Sequence, residues 1–349
     1  MFNGNKNKLI CLLLVLTIGL GLCLSACRRD KGPDTDDNGL GRDEQKGQDL
    51  SEDEAGEGEK PALPKQLEAK DNTEPKLKVY IAEEKRVKEM AFEDYVAAVV
   101  GGEIKNDWPI EAIKAQAIIA RTFVLNFIEE KGQSKYGNAH VSTDIEEAQA
   151  WDQEAVNESI KKAINDTRGQ VIVYKGRFAR TWFHSNAGGK TATPVEGLNF
   201  KDQAPPYIQV VDSPDMTEAV EADAKSWEAS FSKAKVLEAL KAAGKPVEDF
   251  KSVSIGEKGP SGRAVTIAFD DTKVSAAELR LALGTTDMRS TLLDSISLEG
   301  DSLKMSGKGY GHGVGMSQWG AYNMAQNKKT AEDIINHYYK DIDIVKLWD

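Results

Sequence analysis

Residues 91–104 carry the sequence AFEDYVAAVVGGEI, whose apolar positions recur with the spacing of one helix face. The spacing predicts an amphipathic helix with a buried stripe made of Phe92, Tyr95, Val96, Val99 and Val100. Glu103 continues this stripe at the end of the helix. A carboxylate on an apolar face loses hydration, which raises its pKa and keeps it protonated near neutral pH. The pattern therefore indicates Glu103 as a general acid, with a solvent-exposed helix end as the alternative.

The residues on either side of Glu103 predict a close approach and a second helix. Gly101 and Gly102 weaken the helix end and carry no side chains, so we expect a bulky substrate to approach there. Pro109 is a start signal for the next helix, which we predict over residues 109–130. Polar residues interrupt the apolar middle of that helix, and each taken alone is best explained as a structural hydrogen-bonding residue: Gln116, Arg121 and Thr122.

Outside these helices the chain mixes helical and strand patterns without regular β-α-β alternation, which favours the α+β class. Strand-like runs occur at residues 77–81, 170–174, 179–185, 208–211, 250–255 and 264–268. Further helical patterns occur at residues 154–166, 227–243, 275–283, 317–327 and 330–338. We expect one folded part over residues 76–349 with mainly antiparallel sheets. Residues 205–290 are a candidate second lobe beside a ligand cleft.

Three blocks combine polar residues with glycine. They are HVSTD at residues 140–144 followed by Gln149, FHSNAGGKT at residues 183–191, and GYGHGVGMSQWGA at residues 309–321. Glycines let the backbone approach a ligand closely, and the helix after the last block offers free N–H donors. The last block lacks the Gly-Lys-Ser/Thr ending of a P-loop and the spacing of a dinucleotide fingerprint.

The histidines do not predict a metal site or a cofactor. His140, His184, His312 and His337 lie far apart, and no His-Glu-x-x-His motif is present. A Ser/His/Asp triad could be assembled from Ser185, His312 and Asp144, but no nucleophile elbow supports it.

The beginning of the chain predicts export. Residues 1–26 contain the positive Lys6 and Lys8 and then an uncharged run of apolar residues that ends in Leu-Ser-Ala before Cys27. This ending resembles the lipobox of bacterial lipoproteins, which implies cleavage before Cys27 and lipidation of its thiol. Two acyl chains would hold the protein stably at the outer face of the membrane. An uncleaved N-terminal transmembrane anchor is the alternative, and it places the rest of the chain on the same side.

An acidic segment follows the predicted lipidation site. Residues 28–60 contain 12 Asp or Glu and 6 Lys or Arg, against a net charge of −11 for the whole chain. Such a composition cannot bury enough apolar surface to fold, so we predict a flexible tether over residues 27–75. The acidity therefore belongs mostly to the tether, and no basic stripe indicates a nucleic-acid partner.

Several blocks, in order along the chain, resemble the stage II sporulation protein D family, which includes the LytB-type amidase enhancers. They are EDYV through GGE (93–103), EAIKAQA through ART (111–122), TD (143–144) with Gln149, HS (184–185) with GG (188–189) and Thr191, DMRST (287–291), and GYGHGVGMSQWGA (309–321). The last block is the most specific of them.

The resemblance implies a peptidoglycan lytic transglycosylase. Such enzymes cleave between N-acetylmuramic acid and N-acetylglucosamine without water, leaving a 1,6-anhydro end, and prefer glycan that a partner amidase has stripped of peptides. The family's catalytic glutamate falls on Glu103. In this mechanism the nucleophile is a hydroxyl of the sugar itself, which removes the need for a second catalytic carboxylate. The substrate-binding candidates are Gln149, Ser185, His312, Ser317, Gln318 and Arg121.

Two departures and two alternatives accompany this interpretation. Some family members carry His and Cys residues near the Thr-Asp block that resemble a zinc site, whereas this chain keeps His140 without a cysteine there. We therefore predict no zinc, and we expect packing by Trp151 to order this region in its place. Sporulation members commonly use a transmembrane helix rather than a lipobox. A non-catalytic, glycan-binding amidase enhancer is the first alternative function. The second is a hydrolytic muramidase, for which Asp144 is the best second carboxylate.

Overall fold

The computed structural model describes residues 60–69 and 72–349. The predicted signal segment, the lipidation at Cys27 and most of the acidic segment lie outside the described residues. In the part of the chain that is described, no helix is both long enough and apolar enough to cross a membrane.

The protein has the α+β fold predicted from its sequence, with mostly antiparallel sheets. The helices are α1 (Phe92–Glu103), α2 (Ile110–Lys131), α3 (Glu158–Asp166), α4 (Pro194–Leu198), α5 (Ala222–Lys225), α6 (Lys233–Ala242), α7 (Ala276–Leu283), α8 (Gln318–Gln326) and α9 (Ala331–Tyr338). The strands are β1 (Lys76–Ile81), β2 (Arg86–Ala91), β3 (Val141–Ser142), β4 (Gln170–Tyr174), β5 (Arg177–Phe178), β6 (Phe183–His184), β7 (Ser226–Ser232), β8 (Val253–Ile255), β9 (Thr266–Phe269), β10 (Thr272–Ser275), β11 (Leu293–Glu299), β12 (Ser302–Lys308), β13 (Met316–Ser317) and β14 (Asp343–Lys346).

The larger hydrophobic core is built around α2, which contacts α1, α3, α8, α9 and strand β4. The apolar stripe predicted for α1 is buried in this core, including Phe92, Val96 and Val99. Strand β1 pairs antiparallel with β2 and parallel with β3, and β4 lies between β5 and β14. The short strands β6 and β13 pair in parallel. This arrangement brings the end of α1, the start of α8 and the chain after β3 together.

A smaller hydrophobic core lies within residues 227–305 and contains Trp227, Phe231, Phe250, Leu279 and Met305. It is enclosed by the antiparallel sheet β11-β12-β7, the sheet β10-β9-β8 and helices α6 and α7.

Serine and threonine side chains start several helices by accepting a hydrogen bond from a backbone N–H of the first turn. Ser275 and Ser317 cap α7 and α8, and Thr330 forms a capping box with Asp333 at the start of α9. The predicted helix starts at residues 275, 317 and 330 therefore coincide with the caps.

Some predicted elements were wrong. The helix predicted over residues 227–243 begins only at Lys233, because Ser226–Ser232 forms strand β7. Trp227 and Phe231 are buried in this strand while their neighbours face outward, so a spacing of four residues fits a strand as well as a helix. The run at residues 208–211 forms an isolated bridge from Ile208 to Tyr339, and only Phe183–His184 of the run 179–185 is a strand.

The packed part of the chain begins earlier than the predicted boundary at residue 75. Leu67 is buried in the larger core, and the carboxylate of Glu74 accepts a hydrogen bond from the backbone N–H of Glu93 at 2.7 Å. The tether prediction was therefore wrong for these residues, because a composition average over a long segment hides single anchoring side chains.

Candidate active site around Glu103

Glu103 is the last residue of α1, and its side chain is only partly exposed. One carboxylate oxygen, Oε1, accepts a hydrogen bond from the backbone N–H of Ala150 at 2.7 Å. Burial raises the pKa of Glu103 to about 8, and the hydrogen bond from Ala150 only partly offsets this rise. The carboxyl group is therefore protonated at neutral pH and still reachable from solvent, as a general acid requires.

Gly101 and Gly102 allow the chain itself to approach α1. A Cβ on Gly102 would lie 2.7 Å from the backbone nitrogen of Trp151, and one on Gly101 would lie 2.6 Å from the carbonyl oxygen of Asp152. The backbone N–H of Asp152 also donates to the carbonyl of Ala98 at 2.8 Å. The expectation that a substrate fills this space was wrong, because residues 150–152 occupy it and thereby bring the N–H of Ala150 to Glu103.

Gln318 connects the glycine-rich block to Glu103. It is the first residue of α8, and its side-chain nitrogen Nε2 donates to the carbonyl oxygen of Glu103 at 2.9 Å. The same nitrogen lies 3.4 Å from Oε1 of the buried Gln116. Of the predicted binding residues, Gln318 thus lies at Glu103. Gln116, which we interpreted from the sequence as a structural residue, also lies at this site. The one feature of the sequence that could have identified it is its polar side chain in the apolar middle of a helix.

Several buried polar atoms near Glu103 have no protein partner among the described residues. They are Nε2 of Gln116, both amide atoms of Gln149 and Nε1 of Trp151. Gln149 and Trp151 flank Ala150, which binds the Glu103 carboxylate. Buried polar atoms are normally hydrogen-bonded, so this group is the place where a polar ligand or ordered water would restore the missing bonds.

Ser317 and Ser185 hold the start of α8. The Ser317 hydroxyl donates to Oδ2 of the buried Asp215 at 2.7 Å and accepts from the N–H of Gly320, so it serves as the helix cap. The carbonyl of Ser185 accepts a hydrogen bond from the N–H of Trp319 at 3.0 Å, and Ser185 itself is partly exposed. Ser185 lies beside Gln318, whereas the hydroxyl of Ser317 is used inside the protein.

His312 is buried behind this helix start rather than exposed in a cleft. Its Nδ1 accepts from the backbone N–H of Val314 at 3.0 Å, and its ring lies 5.6 Å from that of His184. Burial lowers the pKa of His312 to about 3, with smaller effects of Arg280 and Arg263, so the ring is neutral. The structure places this predicted binding residue in a buried histidine pair.

Asp144 does not join Ser185 and His312 in a triad. Its carboxylate accepts from the hydroxyl of Tyr136 at 2.6 Å and forms an ion pair with Lys135 at 2.8 Å. Burial raises the pKa of Asp144, but the hydrogen bonds from Lys135 and Tyr136 outweigh this effect and lower it overall. Asp144 is therefore an ionised residue that its neighbours hold in place.

Arg121 lies at the opposite end of α1 from Glu103. It is fully buried, and its guanidinium binds both carboxylate oxygens of Glu93, with Nε 3.0 Å from Oε1 and Nη2 2.7 Å from Oε2. Glu93 and Glu103 are separated by about 15 Å of helix at 1.5 Å per residue. The structure does not bring Arg121 into the candidate site, since its side chain completes the core at the start of α1.

His140, the remaining residue of the predicted zinc region, accepts a hydrogen bond from the backbone N–H of Lys78 at 3.2 Å through Nδ1. Within residues 60–69 and 72–349, no group of three or more His, Cys, Asp or Glu side chains gathers as a metal site would require. Trp151 is partly buried against the larger core next to Glu103.

Comparison with known proteins agrees with the blocks that surround this site. The sequence profile of the family described as stage II sporulation protein matches residues 80–174, and that of a domain of unknown function matches residues 199–315. An uncharacterized protein of Brachyspira hyodysenteriae is 33% identical over 74% of this chain and 68% of its own length. Stage II sporulation protein D of Bacillus amyloliquefaciens is 28% identical over 76% of this chain and 77% of its own.

A further relative extends the comparison to another kind of protein. The amidase enhancer of Bacillus subtilis is 28% identical over 69% of this chain, a match that covers 39% of that relative. The family profile and these relatives indicate a cell-wall-related function. The chain belongs to the stage II sporulation protein D family.

Proposed function

We propose that this protein is a membrane-tethered peptidoglycan lytic transglycosylase with Glu103 as its only catalytic acid and base. The observation that carries the proposal is the state of Glu103: a partly exposed carboxyl group that is protonated at neutral pH and held by the N–H of Ala150. Membership of the stage II sporulation protein D family supports the same residue and the same substrate class.

The reaction needs one group that first gives and then takes a proton. Glu103 donates its proton to the glycosidic oxygen as the bond from that oxygen to C1 of N-acetylmuramic acid breaks. The C6 hydroxyl of the same sugar bonds to C1 and returns its proton to the Glu103 carboxylate, which leaves a 1,6-anhydro end and consumes no water. The raised pKa of Glu103 serves both steps, because the group is a weak acid and its carboxylate is a correspondingly effective base.

Side chains beside Glu103 carry buried polar atoms without a protein partner, and these match the polar groups of a glycan. Gln149 presents an unpartnered donor and acceptor, and Gln116 and Trp151 each present an unpartnered donor. An N-acetyl group has one acceptor and one donor, so these side chains match its hydrogen-bonding pattern. Gln318 positions Glu103 by donating a hydrogen bond to the main-chain carbonyl of Glu103. Ser185 lies beside Gln318 at the edge of the site.

The test is mass spectrometry of the products that the full-length protein, purified in detergent, makes from peptide-free glycan strands. We expect fragments one water lighter than hydrolytic products, and none from the variant Glu103→Gln. The matched control is Glu299→Gln, whose side chain is exposed in the β11–β12 hairpin. Fragments of hydrolytic mass would overturn the proposal in favour of a muramidase with a second carboxylate.

A second candidate function follows from the similarity to an amidase enhancer: a glycan-binding protein that stimulates an amidase without cleaving strands. Binding without turnover would survive Glu103→Gln, whereas transglycosylation would not. Glycan binding by both proteins, with no cleavage by either, would favour this function.

A further inference from the structure

Strand β7 (Ser226–Ser232) lies at the outside of the sheet β11-β12-β7 that encloses the smaller core. One edge of β7 pairs with β12, and within residues 60–69 and 72–349 no strand pairs with its other edge. A free strand edge presents unpaired N–H and C=O groups, which are a template for pairing with another chain. The reaction proposed at Glu103 makes no use of this edge.

The hydrogen bonds at the two ends of β7 show which of its backbone groups are free. The N–H of Lys233 donates to the carbonyl of Asp301 at 2.8 Å, and the N–H of Gly309 donates to the carbonyl of Lys225 at 3.0 Å. Bonded and non-bonded pairs alternate along an antiparallel ladder, so the odd-numbered residues between these two bonds pair with β12. The even-numbered residues of β7 therefore direct their N–H and C=O groups away from the sheet.

A cavity of about 530 Å³ lies along this free edge. Its lining includes the consecutive residues Ser226–Phe231, which alternate between the exposed and the buried face of the sheet. A cavity that touches both sets lies at the edge of the strand rather than over one face, and β12 fills the other edge. The N–H and C=O groups of Glu228 and Ser230 therefore open into the cavity, and they bond to no group among the described residues.

The cavity is a groove, because a wall lines it beside β7. This groove wall consists of Asp223, Lys235, Thr286, Asp287 and Arg289. Ion pairs join Lys235 to Asp287 at 3.0 Å and Arg289 to Asp223 at 3.5 Å. Six residues of strand span about 20 Å, so the groove is on the order of 5 Å across, close to the spacing of about 4.8 Å between neighbouring strands. The groove thus has room for one extended chain.

Two possible occupants do not match this space. A second copy of the protein carries the same groove wall beside its own β7, so the two walls would collide before the two strands could pair. The acidic segment at residues 28–60 contains no valine, isoleucine or aromatic residue, and its acidic residues outnumber its basic ones. It is therefore a poor strand former. A strand from a different polypeptide fits the groove better than either of them.

The charges along the groove favour a basic strand. Glu228 is exposed on β7 and forms no ion pair among the described residues. Its diagonal neighbours on β12, Lys304 and Lys308, pair with carboxylates of β11. The basic residues of the groove wall, Lys235 and Arg289, pair with the two aspartates of the same wall. Glu228 is therefore the carboxylate that is left for a ligand.

We propose that β7 and the groove wall form a docking site for an extended, basic segment of a partner protein. The segment adds a fourth strand to the sheet β11-β12-β7 and bonds to the free N–H and C=O groups of Glu228 and Ser230. A lysine or arginine of the segment lies beside Glu228, as opposite charges do on neighbouring strands. The site belongs to the smaller core, so docking is separate from the reaction at Glu103.

The probe is a blocked synthetic hexapeptide of alternating lysine and valine, added in fluorescently labelled form to the full-length protein in detergent. Ser230→Pro is the deciding variant, because proline removes an N–H that does not bond to β12 and is tolerated on an edge strand. Anisotropy should show at least about tenfold weaker binding, since one hydrogen bond is lost and the ring enters the groove. No binding to wild type, or equal binding to both proteins, would overturn the proposal.

A change in the peptide gives the same test without a change in the protein. The hexapeptide with methylated amide nitrogens keeps its charge but cannot donate to β7, so it should bind wild type at least about tenfold more weakly. Glu228→Gln should weaken binding of the unmodified peptide about two- to fivefold at low salt, as the loss of an exposed ion pair does. The matched control is Glu238→Gln on the exposed face of α6, which should leave binding unchanged. Equal binding of both peptides would contradict strand addition.

Amide hydrogen exchange measured by NMR locates the bound peptide. In the free protein, we expect the N–H groups of Glu228 and Ser230 to exchange much faster than that of Ala229, which bonds to β12. The peptide should slow the exchange of the first two. Slowing at other residues alone would overturn the proposal. Protection without peptide would also overturn it: a rise with protein concentration would assign the edge to a second copy, and loss on deletion of residues 28–59 would assign it to the acidic segment.

Discussion

The side-chain amide of Gln318 donates a hydrogen bond to the main-chain carbonyl of Glu103 at 2.9 Å, across 215 positions of sequence. This bond joins the last turn of α1 to the first residue of α8. The carbonyls of the last helical turn lack partners within the helix, so an outside donor both satisfies one of them and limits the movement of Glu103. The glycine-rich block therefore positions the proposed acid through the backbone.

Replacing Gln318 by leucine tests this positioning. Loss of one hydrogen bond worth about 1–1.5 kcal/mol predicts a roughly tenfold lower kcat for glycan cleavage, with a smaller effect on KM. Steady-state kinetics with circular dichroism would measure it, and Gln326→Leu at the exposed end of the same helix serves as control. Unchanged kcat in a folded Gln318→Leu protein would show that Glu103 needs no support from α8.

The pH dependence of cleavage follows from the protonation of Glu103. Burial raises its pKa to about 8, and the acid function needs the protonated form. We expect kcat/KM to be maintained near neutral pH and to fall tenfold per pH unit above about 8. A descending limb near pH 4–5, where an ordinary glutamate loses its proton, would exclude Glu103 as the acid.

The same raised pKa predicts how stability changes with pH. Between the ordinary value of 4.5 and about 8, the folded protein keeps a proton on Glu103 that the unfolded chain has released. The folded state binds more protons, so its stability falls as pH rises through this window. Glu103→Gln removes this loss. In urea unfolding, we expect its free energy of unfolding, relative to that of wild type, to increase by about 1–3 kcal/mol between pH 4.5 and 8. A constant difference across that range would contradict the raised pKa.

Gly102→Ala tests the close packing of residues 150–152 on α1. Alanine favours a helix by about 1 kcal/mol over glycine, but its Cβ would lie 2.7 Å from the backbone nitrogen of Trp151. The loop must move, which lengthens the hydrogen bond from Ala150 to Glu103. Because that bond lowers the pKa of Glu103, its loss should lower kcat and move the descending pH limb upward. An unchanged pH profile would show that the loop does not set the acidity of Glu103.

Arg121→Met separates stability from catalysis. Breaking the buried pair with Glu93 leaves a carboxylate with fewer partners, which we expect to destabilise the protein by about 3–5 kcal/mol in urea unfolding. Arg180→Met, which breaks a more exposed pair with Glu130, should cost at most about 1 kcal/mol. At temperatures where Arg121→Met remains folded, its kcat should stay close to wild type. A large fall in kcat without loss of stability would show that Arg121 has a role in catalysis rather than in the core.

Local patterns predicted the elements that depend on neighbours in sequence. The stripe of α1, the helix starts at Ser275 and Ser317 and the strand at Gln170–Tyr174 all follow from residues within a few positions of each other. The position of Glu103 on its apolar face belongs to this class. These features could therefore be predicted without knowledge of the tertiary structure.

Features that depend on distant partners could not be predicted in this way. The partners of Gly102 and Arg121 belong to remote segments, so nothing beside them in the sequence told a packing role from a substrate-binding role. The strand at Ser226–Ser232 depends on pairing with β12, which overrides a helical spacing of its buried residues. Gln116 gained its place in the site only through Gln318.

The core around the start of α1 closes with a contact across 255 positions, from Nε1 of Trp348 to Oε1 of Glu93. The ring of Trp348 also packs edge-on against Phe92. The first helix therefore cannot complete its burial until Trp348 has been synthesised, and folding must wait for contacts of very long range. For the exported protein that we propose, this dependence would keep the start of α1 from packing until the chain up to Trp348 has crossed the membrane.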